Sequence, residues 1–224
     1  MEESFLFLAL VLGMRHGMDA DHLAAIDGLA RVHPGPWNGL LFALGHGAVV
    51  TLLAVGVGGA VAAVAGGWSP WLLIALGALN LWRLANPHPV RVPRLVTTGP
   101  LLLGVLLAAG FETASQLSAL ALSNRADPLL LGTAFSLGMI LVDGTDGYLA
   151  SRVQRASASG GRRTRIASRA LGVAVVVFSF GLGGAQLLGF DFEPYSLAAG
   201  GGLFALLVAL RLWSVEKPAL DESK

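Results

Sequence analysis

The sequence predicts an all-α integral membrane protein: a bundle of about seven transmembrane helices, N-terminus outside and C-terminus cytoplasmic. Three observations predict it. Hydrophobic residues make up 54% of the chain and charged residues only 13%, against roughly 25% in a soluble domain, with a mean hydropathy of +0.69. Apolar runs of about 20 residues, long enough to cross a ~30 Å hydrocarbon core as helix, recur from end to end. Lys and Arg gather on one side of the alternation that these runs create.

In order, the runs cover 5–30, 38–66, 69–86, 99–123, 128–152, 167–190 and 195–214, within a single transmembrane domain, 1–224. The first follows Glu2 and Glu3 rather than a basic segment, and no small-residue cleavage site precedes its charged motif. It is therefore expected to be a retained helix and not a signal peptide. Pro34 and Pro36 close it. The second contains Gly56-Val57-Gly58-Gly59, which sits within the expected helix and reads as close packing rather than nucleotide binding. Pro87 and Pro89 end the third. Thr98-Gly99-Pro100 and Asp127-Pro128 open the fourth and fifth as caps followed by Pro in the first turn. Asp191 to Pro194 separates the last two.

Of the 15 Lys and Arg residues, 13 share one side: Arg31, Arg83, Arg91, Arg94, Arg152, Arg155, Arg162, Arg163, Arg165, Arg169, Arg211, Lys217 and Lys224. Arg125 stands on the other side and Arg15 lies inside a helix. The basic side is cytoplasmic by the positive-inside rule, which makes 153–166 a basic cytoplasmic loop and 215–224 a cytoplasmic tail. The basic loop is read as a topology determinant, with binding of anionic lipid or a partner as the lesser reading. A net charge of +1 without a basic stripe argues against a nucleic-acid partner. The chain has no Cys, which excludes disulfides, iron–sulfur sites and thiolate ligands.

Ionisable residues inside the runs carry the functional signal, because each costs at least ~2.5–3.5 kcal/mol to insert. The first run holds Arg15, His16, Asp19, Asp21, His22 and Asp27; the second His46; the fourth Glu112, with Gln116; the fifth Asp143 and Asp146. At ~1.5 Å rise per residue, His16, His46 and Glu112 fall near the membrane midplane. On the same count His22, Asp143 and Asp146 form a second tier on the cytoplasmic half. Two tiers along one axis suit an ion that binds, is passed on and leaves. His16, Asp19 and His22 share a helix face, and Asp21 lies off it. His16 and His22 would stand about 9 Å apart along a straight helix, too far to share one ion. They therefore serve separate sites or the helix unwinds near Gly17, and unwinding is the favoured expectation.

Plainer roles compete for some of these residues. His46 suits a hydrogen bond between helices, as do Ser115 and Gln116. Asp143 and Asp146 could neutralise Arg15 or Arg152, and Asp27 reads as a solvated interfacial carboxylate or a partner of Arg31.

The same residues carry a family resemblance. Arg15-His16-Gly17-Met18-Asp19-Ala20-Asp21-His22 resembles the R-H-A-x-D-A-D-H signature of the nickel/cobalt transporter family. Leu44-Gly45-His46-Gly47-Ala48-Val49-Val50 is similar to its L-G-H-S-x-V-V segment, and Gly110-Phe111-Glu112-Thr113-Ala114-Ser115-Gln116 to G-F-D-T-A-T-E. Gly138-Met139-Ile140-Leu141-Val142-Asp143-Gly144-Thr145-Asp146-Gly147 is similar to G-M-x-L-x-D-T-x-D-G. Three departures stand out: Glu112 replaces Asp, Gln116 replaces Glu, and the span that usually precedes the signature helix is missing. Shorter relatives associated with urease or superoxide dismutase genes lack that span too, and the chain looks most like them.

The resemblance implies a permease, not an enzyme, that takes up Ni²⁺ and/or Co²⁺ across the cytoplasmic membrane of a prokaryote. The metal residues it implies are His16, Asp19, Asp21, His22, His46, Glu112, Asp143 and Asp146. Imidazole and carboxylate donors suit Ni²⁺, Co²⁺ and also Zn²⁺. The histidines must be neutral to bind, so uptake is expected to weaken as pH falls through roughly 6–6.5. No resident cofactor is expected, the partners being the divalent ion and the lipid bilayer, with homo-oligomerisation left open and no ATPase evident. An exporter of the same broad group is the alternative. It is disfavoured because efflux relatives tend to carry a His-rich cytoplasmic loop and the basic loop here has no His. A membrane metalloenzyme fits less well, since five His residues are too few for di-metal boxes and no H-E-x-x-H occurs.

Overall fold

A computed structural model describes residues 2–56, 68–86, 99–108, 126–158 and 161–214. These form eight helices and no strand: α1 (Glu2–Gly17), α2 (Ala20–Val32), α3 (Asn38–Ala54), α4 (Ser69–Ala85), α5 (Gly99–Ala108), α6 (Pro128–Ala158), α7 (Arg162–Leu187) and α8 (Glu193–Ser214). The fold is all-α, as the composition requires. Among the described residues, three helices are long and apolar enough to cross a membrane, Pro128–Ala158, Arg162–Leu187 and Pro194–Ser214, and α3 and α5 are shorter apolar helices.

Local chemistry sets the helix starts. Asp127 caps α6, its Oδ1 accepting the backbone N–H groups of Leu129 and Leu130 at 2.9 and 3.0 Å, with Pro128 in the first turn. Pro70 occupies the first turn of α4. Of the expected spans, 69–86 coincides with α4 and 195–214 with α8 to within two residues. The later parts of the expected spans 38–66 and 99–123 lie outside the described residues, and with them Glu112, Ser115 and Gln116.

The first span unwinds near Gly17, as favoured from sequence: α1 ends at Gly17 and α2 starts at Ala20, with Met18 and Asp19 between them. One expectation differs from the structure. The basic stretch 153–166 is largely helix rather than loop, because α6 continues to Ala158 and α7 begins at Arg162. Arg, Gln and Ala favour helix in that stretch, and Gly161 stands as the N-cap of α7. At ~1.5 Å per residue, the 31 residues of α6 exceed a ~30 Å core, so its basic end projects beyond the hydrocarbon.

The short helix α2 is the centre of the bundle. Positions 21–30 are all buried, and α2 packs against α3, α4, α6, α7 and α8. Leu23 and Ile26 join Phe42, Leu73, Leu107, Leu171, Leu203 and Leu207 in one apolar cluster. A helix buried on every side needs its polar groups matched by neighbours, which makes its Asp and His residues informative. The walls approach closely through glycine. A methyl group on Gly39 would overlap the carbonyl of Asp143, and one on Gly138 would overlap that of Leu10, so α3 and α1 both lie backbone-to-backbone on α6.

Candidate metal centre

The centre is built where the first span breaks. Met18 N–H donates to the Arg15 carbonyl at 3.0 Å and Asp19 N–H to that of His16 at 2.9 Å, which tightens the end of α1. Asp19 then takes an extended conformation (φ −65°, ψ 148°) as the N-cap residue of α2. An N-cap Asp ordinarily accepts backbone N–H groups of the first turn, but this side chain makes no capping bond. Its Oδ2 lies 2.9 Å from His16 Nδ1 instead. Helix α8 backs the break: a methyl on Gly200 would stand 2.5 Å from the Met18 carbonyl oxygen.

The break brings His22 beside His16. Their ring centroids are 4.5 Å apart, and His46 from α3 completes a triangle at 5.0 Å from His16 and 4.4 Å from His22. All three imidazoles are fully buried. Each offers one ring nitrogen, and those nitrogens lie within 4.8 Å of one another. Phe42 and Phe135 face the rings at 5.0 Å from His22 and 5.4 Å from His16, an apolar lining that keeps the imidazoles from alternative polar partners.

Hydrogen bonds orient two of the rings. His16 Nδ1 faces Asp19 and His22 Nδ1 lies 3.0 Å from Asp143 Oδ2, from α6. A carboxylate accepting from Nδ1–H leaves the Nε2 lone pair for an ion and raises its basicity. His22 Nε2 has no hydrogen-bond partner, nor has His46 Nδ1. His16 Nε2 and His46 Nε2 stand 3.0 Å apart. Two ligands at about 2.0–2.1 Å and at right angles around one ion would be separated by about 3.0 Å. The donor set therefore matches a first-row divalent ion in size and softness.

The structure redistributes the residues nominated from sequence. His16, His22 and His46 come together, so the second tier expected for His22 is corrected: rise along a straight helix takes no account of the break at Met18 and Asp19. Asp143 moves with His22, and Asp19 and Asp143 face imidazoles. Asp21 is buried with an Oδ2 that lacks a partner. Asp146 stands apart from the trio, bound by Arg211 Nη1 at 2.5 Å. It pairs with neither Arg15 nor Arg152.

Asp27 is corrected as well. It is not an interfacial carboxylate but fully buried, and it accepts Arg211 Nη2 at 3.0 Å. Arg31 donates to the Ser168 backbone oxygen and, at 3.2 Å, to Ser168 Oγ. Arg211 is the residue sequence reasoning missed. Its position along the chain marks it only as a topology charge, although its place inside the apolar run 195–214 is signal enough to ask for a buried partner.

The trio falls within a recognisable stretch. A protein-family model described as high-affinity nickel-transport protein matches residues 3–76, which include His16, His22 and His46. The hydrogenase nickel incorporation protein HupN of Bradyrhizobium diazoefficiens is 31% identical, over 91% of this chain and 68% of that protein. The chain belongs to the nickel/cobalt transporter family. The nickel transporter NixA of Staphylococcus aureus is 31% identical over 63% of this chain and 59% of its own length. The cobalt transport protein NhlF of Rhodococcus rhodochrous is 32% identical over 53% of this chain and 30% of its own length. Two of these three relatives are thus matched over less than two thirds of their length. No solved structure matches the chain. Family membership and the apolar helices together identify a membrane protein of a transporter family.

Proposed function

We propose that the chain is a permease that takes up Ni²⁺ or Co²⁺ across the cytoplasmic membrane of a prokaryotic cell, with His16, His22 and His46 as the ion's central ligands. The observation that carries this reading is the convergence of three buried imidazoles, two of them facing carboxylates through Nδ1. In this reading Asp19 and Asp143 fix the tautomers of His16 and His22, and Asp21 lends negative charge to the approach. Glu112, in the third motif, supplies a further oxygen. The N-terminus lies outside and the basic ends of α6 and α7 lie in the cytoplasm.

Entry needs no ATPase. A dication moving inward down ~100 mV gains about 4.6 kcal/mol, enough for more than a thousandfold accumulation. Sequential binding at separate points lets the ion leave a site that three imidazoles would otherwise hold tightly. The test is radiolabelled nickel uptake in cells expressing the wild type, His16→Ala, His22→Ala or His46→Ala at matched membrane levels. Uptake falls at least tenfold in each variant if the trio carries the ion. Uptake equal to wild type in all three sinks the reading.

A further inference from the structure

Beneath the histidine trio lies a second arrangement that nominating residues one at a time does not reveal. Asp27 is five residues beyond His22 on α2, and Asp146 is three beyond Asp143 on α6. At ~1.5 Å per residue this places the two carboxylates roughly 4.5–7.5 Å along from the His22–Asp143 pair, one turn or slightly more. Between them sits the guanidinium of Arg211, reaching in from α8, with one terminal nitrogen on each carboxylate. All three side chains are buried.

Two features set this triad apart from a simple structural ion pair. The first is that it is only partly satisfied. Asp27 Oδ2, Asp146 Oδ2 and Arg211 Nε have no hydrogen-bond partner, so each carboxylate keeps an oxygen uncommitted. Each carboxylate takes a single bond from the Arg211 guanidinium, and Arg31, which also acts on Asp27 electrostatically, directs its Nη1 donors to Ser168, so a dication can engage the carboxylate oxygens that the arginines leave. The second is position. Arg211 also lines a cavity of about 590 Å³ between α6, α7 and α8, together with Leu149, Arg152, Val153, Val208 and Leu212. The Arg211 side chain thus lines open volume along its length while its guanidinium engages the carboxylates of the trio's neighbouring turn. That volume lies toward the basic ends of α6 and α7.

We infer that Asp27 and Asp146 form a second cation site, occupied at rest by Arg211 as a tethered substitute for the substrate. The inference rests on the permease reading of the trio above. When a divalent ion arrives from the histidines, Arg211 swings into the cavity, the ion takes both carboxylates, and its onward exit lets the guanidinium return. The resting state is closed to leak because the site is already filled by a cation that cannot leave the chain. Arginine suits this role because its fork engages two carboxylates at once and it stays charged when buried.

The experiment is equilibrium binding of radiolabelled Ni²⁺ to the purified full chain in lipid nanodiscs, with fold checked by size exclusion and thermal melting. Wild type binds one ion at the trio at low micromolar or lower concentration. Arg211→Gln is expected to bind a second ion per chain, and adding Asp27→Asn to that variant removes the second event and leaves the first. If Arg211→Gln is not recovered folded, Arg211→Lys carries the test. It keeps the charge but loses the two-pronged grip, so a second event is expected at a Ni²⁺ concentration at least tenfold below any second event in wild type. A one-ion isotherm in Arg211→Gln, or in Arg211→Lys where that variant must serve, overturns the inference. So does a second event that survives Asp27→Asn. A wild type that binds no ion instead overturns the permease reading of the trio, which separates the two failures.

Discussion

His16 and His46 face each other Nε2 to Nε2 at 3.0 Å, from α1 and α3, 30 positions apart in the chain. In the neutral tautomer that donates Nδ1–H to Asp19, His16 Nε2 accepts, and His46 Nε2 donates the proton between them. An ion entering there displaces that proton to His46 Nδ1, a nitrogen without a hydrogen-bond partner. The contact is therefore a proton-bridged form of the pair that an ion would bridge.

The carboxylates that face the rings should matter without being ligands. Asp143→Asn keeps the shape but no longer commits His22 to one tautomer, and Ni²⁺ affinity is expected to fall about 10–100-fold. Isothermal titration on the purified chain reads this directly. Asp19→Asn should fall in the same range through His16.

Selectivity follows from donor type. Nitrogen donors favour Ni²⁺, Co²⁺ and Zn²⁺ over the oxygen-seeking Mg²⁺ and Ca²⁺. In an uptake assay, Co²⁺ at equal concentration should compete with radiolabelled Ni²⁺, while Mg²⁺ in about hundredfold excess should leave uptake unchanged.

The glycine contacts that bring α3 onto α6 should be intolerant of a methyl group. Gly39→Ala would drive a carbon into the Asp143 carbonyl, and a cost of about 1–3 kcal/mol is expected from overpacking. Gly144 lies on α6 with open space beside it, so Gly144→Ala should be neutral or slightly stabilising. Thermal unfolding of the two variants in one detergent gives the comparison, and equal midpoints would contradict the packing described.

Much of this could be read from the chain, for physical reasons that also mark where reading stopped. Prolines and caps announce helix starts through local chemistry, as Asp127 and Pro128 do for α6. Buried histidines announce themselves by the cost of placing them in apolar spans. Depth could not be read past Gly17, because rise per residue converts to height only while a helix runs straight. The break at Met18 and Asp19 is packed against Gly200 of α8, a tertiary contact that local sequence does not announce. Charge position along the chain says on which side an arginine belongs but not how far it reaches inward. Arg211 therefore has the sequence profile of an anchor, and the partners that the sequence offers Asp27 and Asp146 (Arg31, and Arg15 or Arg152) are not the guanidinium that binds them. The stretch 153–166 has the profile of a loop for the same reason: clustered charge reports topology, while its Arg, Ala and Gln residues favour helix.

The central claim is that three imidazoles hold the transported ion. X-ray absorption at the nickel edge of the Ni²⁺-loaded chain tests it most directly. The expected result is the multiple-scattering pattern of three imidazoles at about 2.0–2.1 Å, losing one in His46→Ala. A shell of oxygen donors alone, or a spectrum unchanged by His46→Ala, would contradict it.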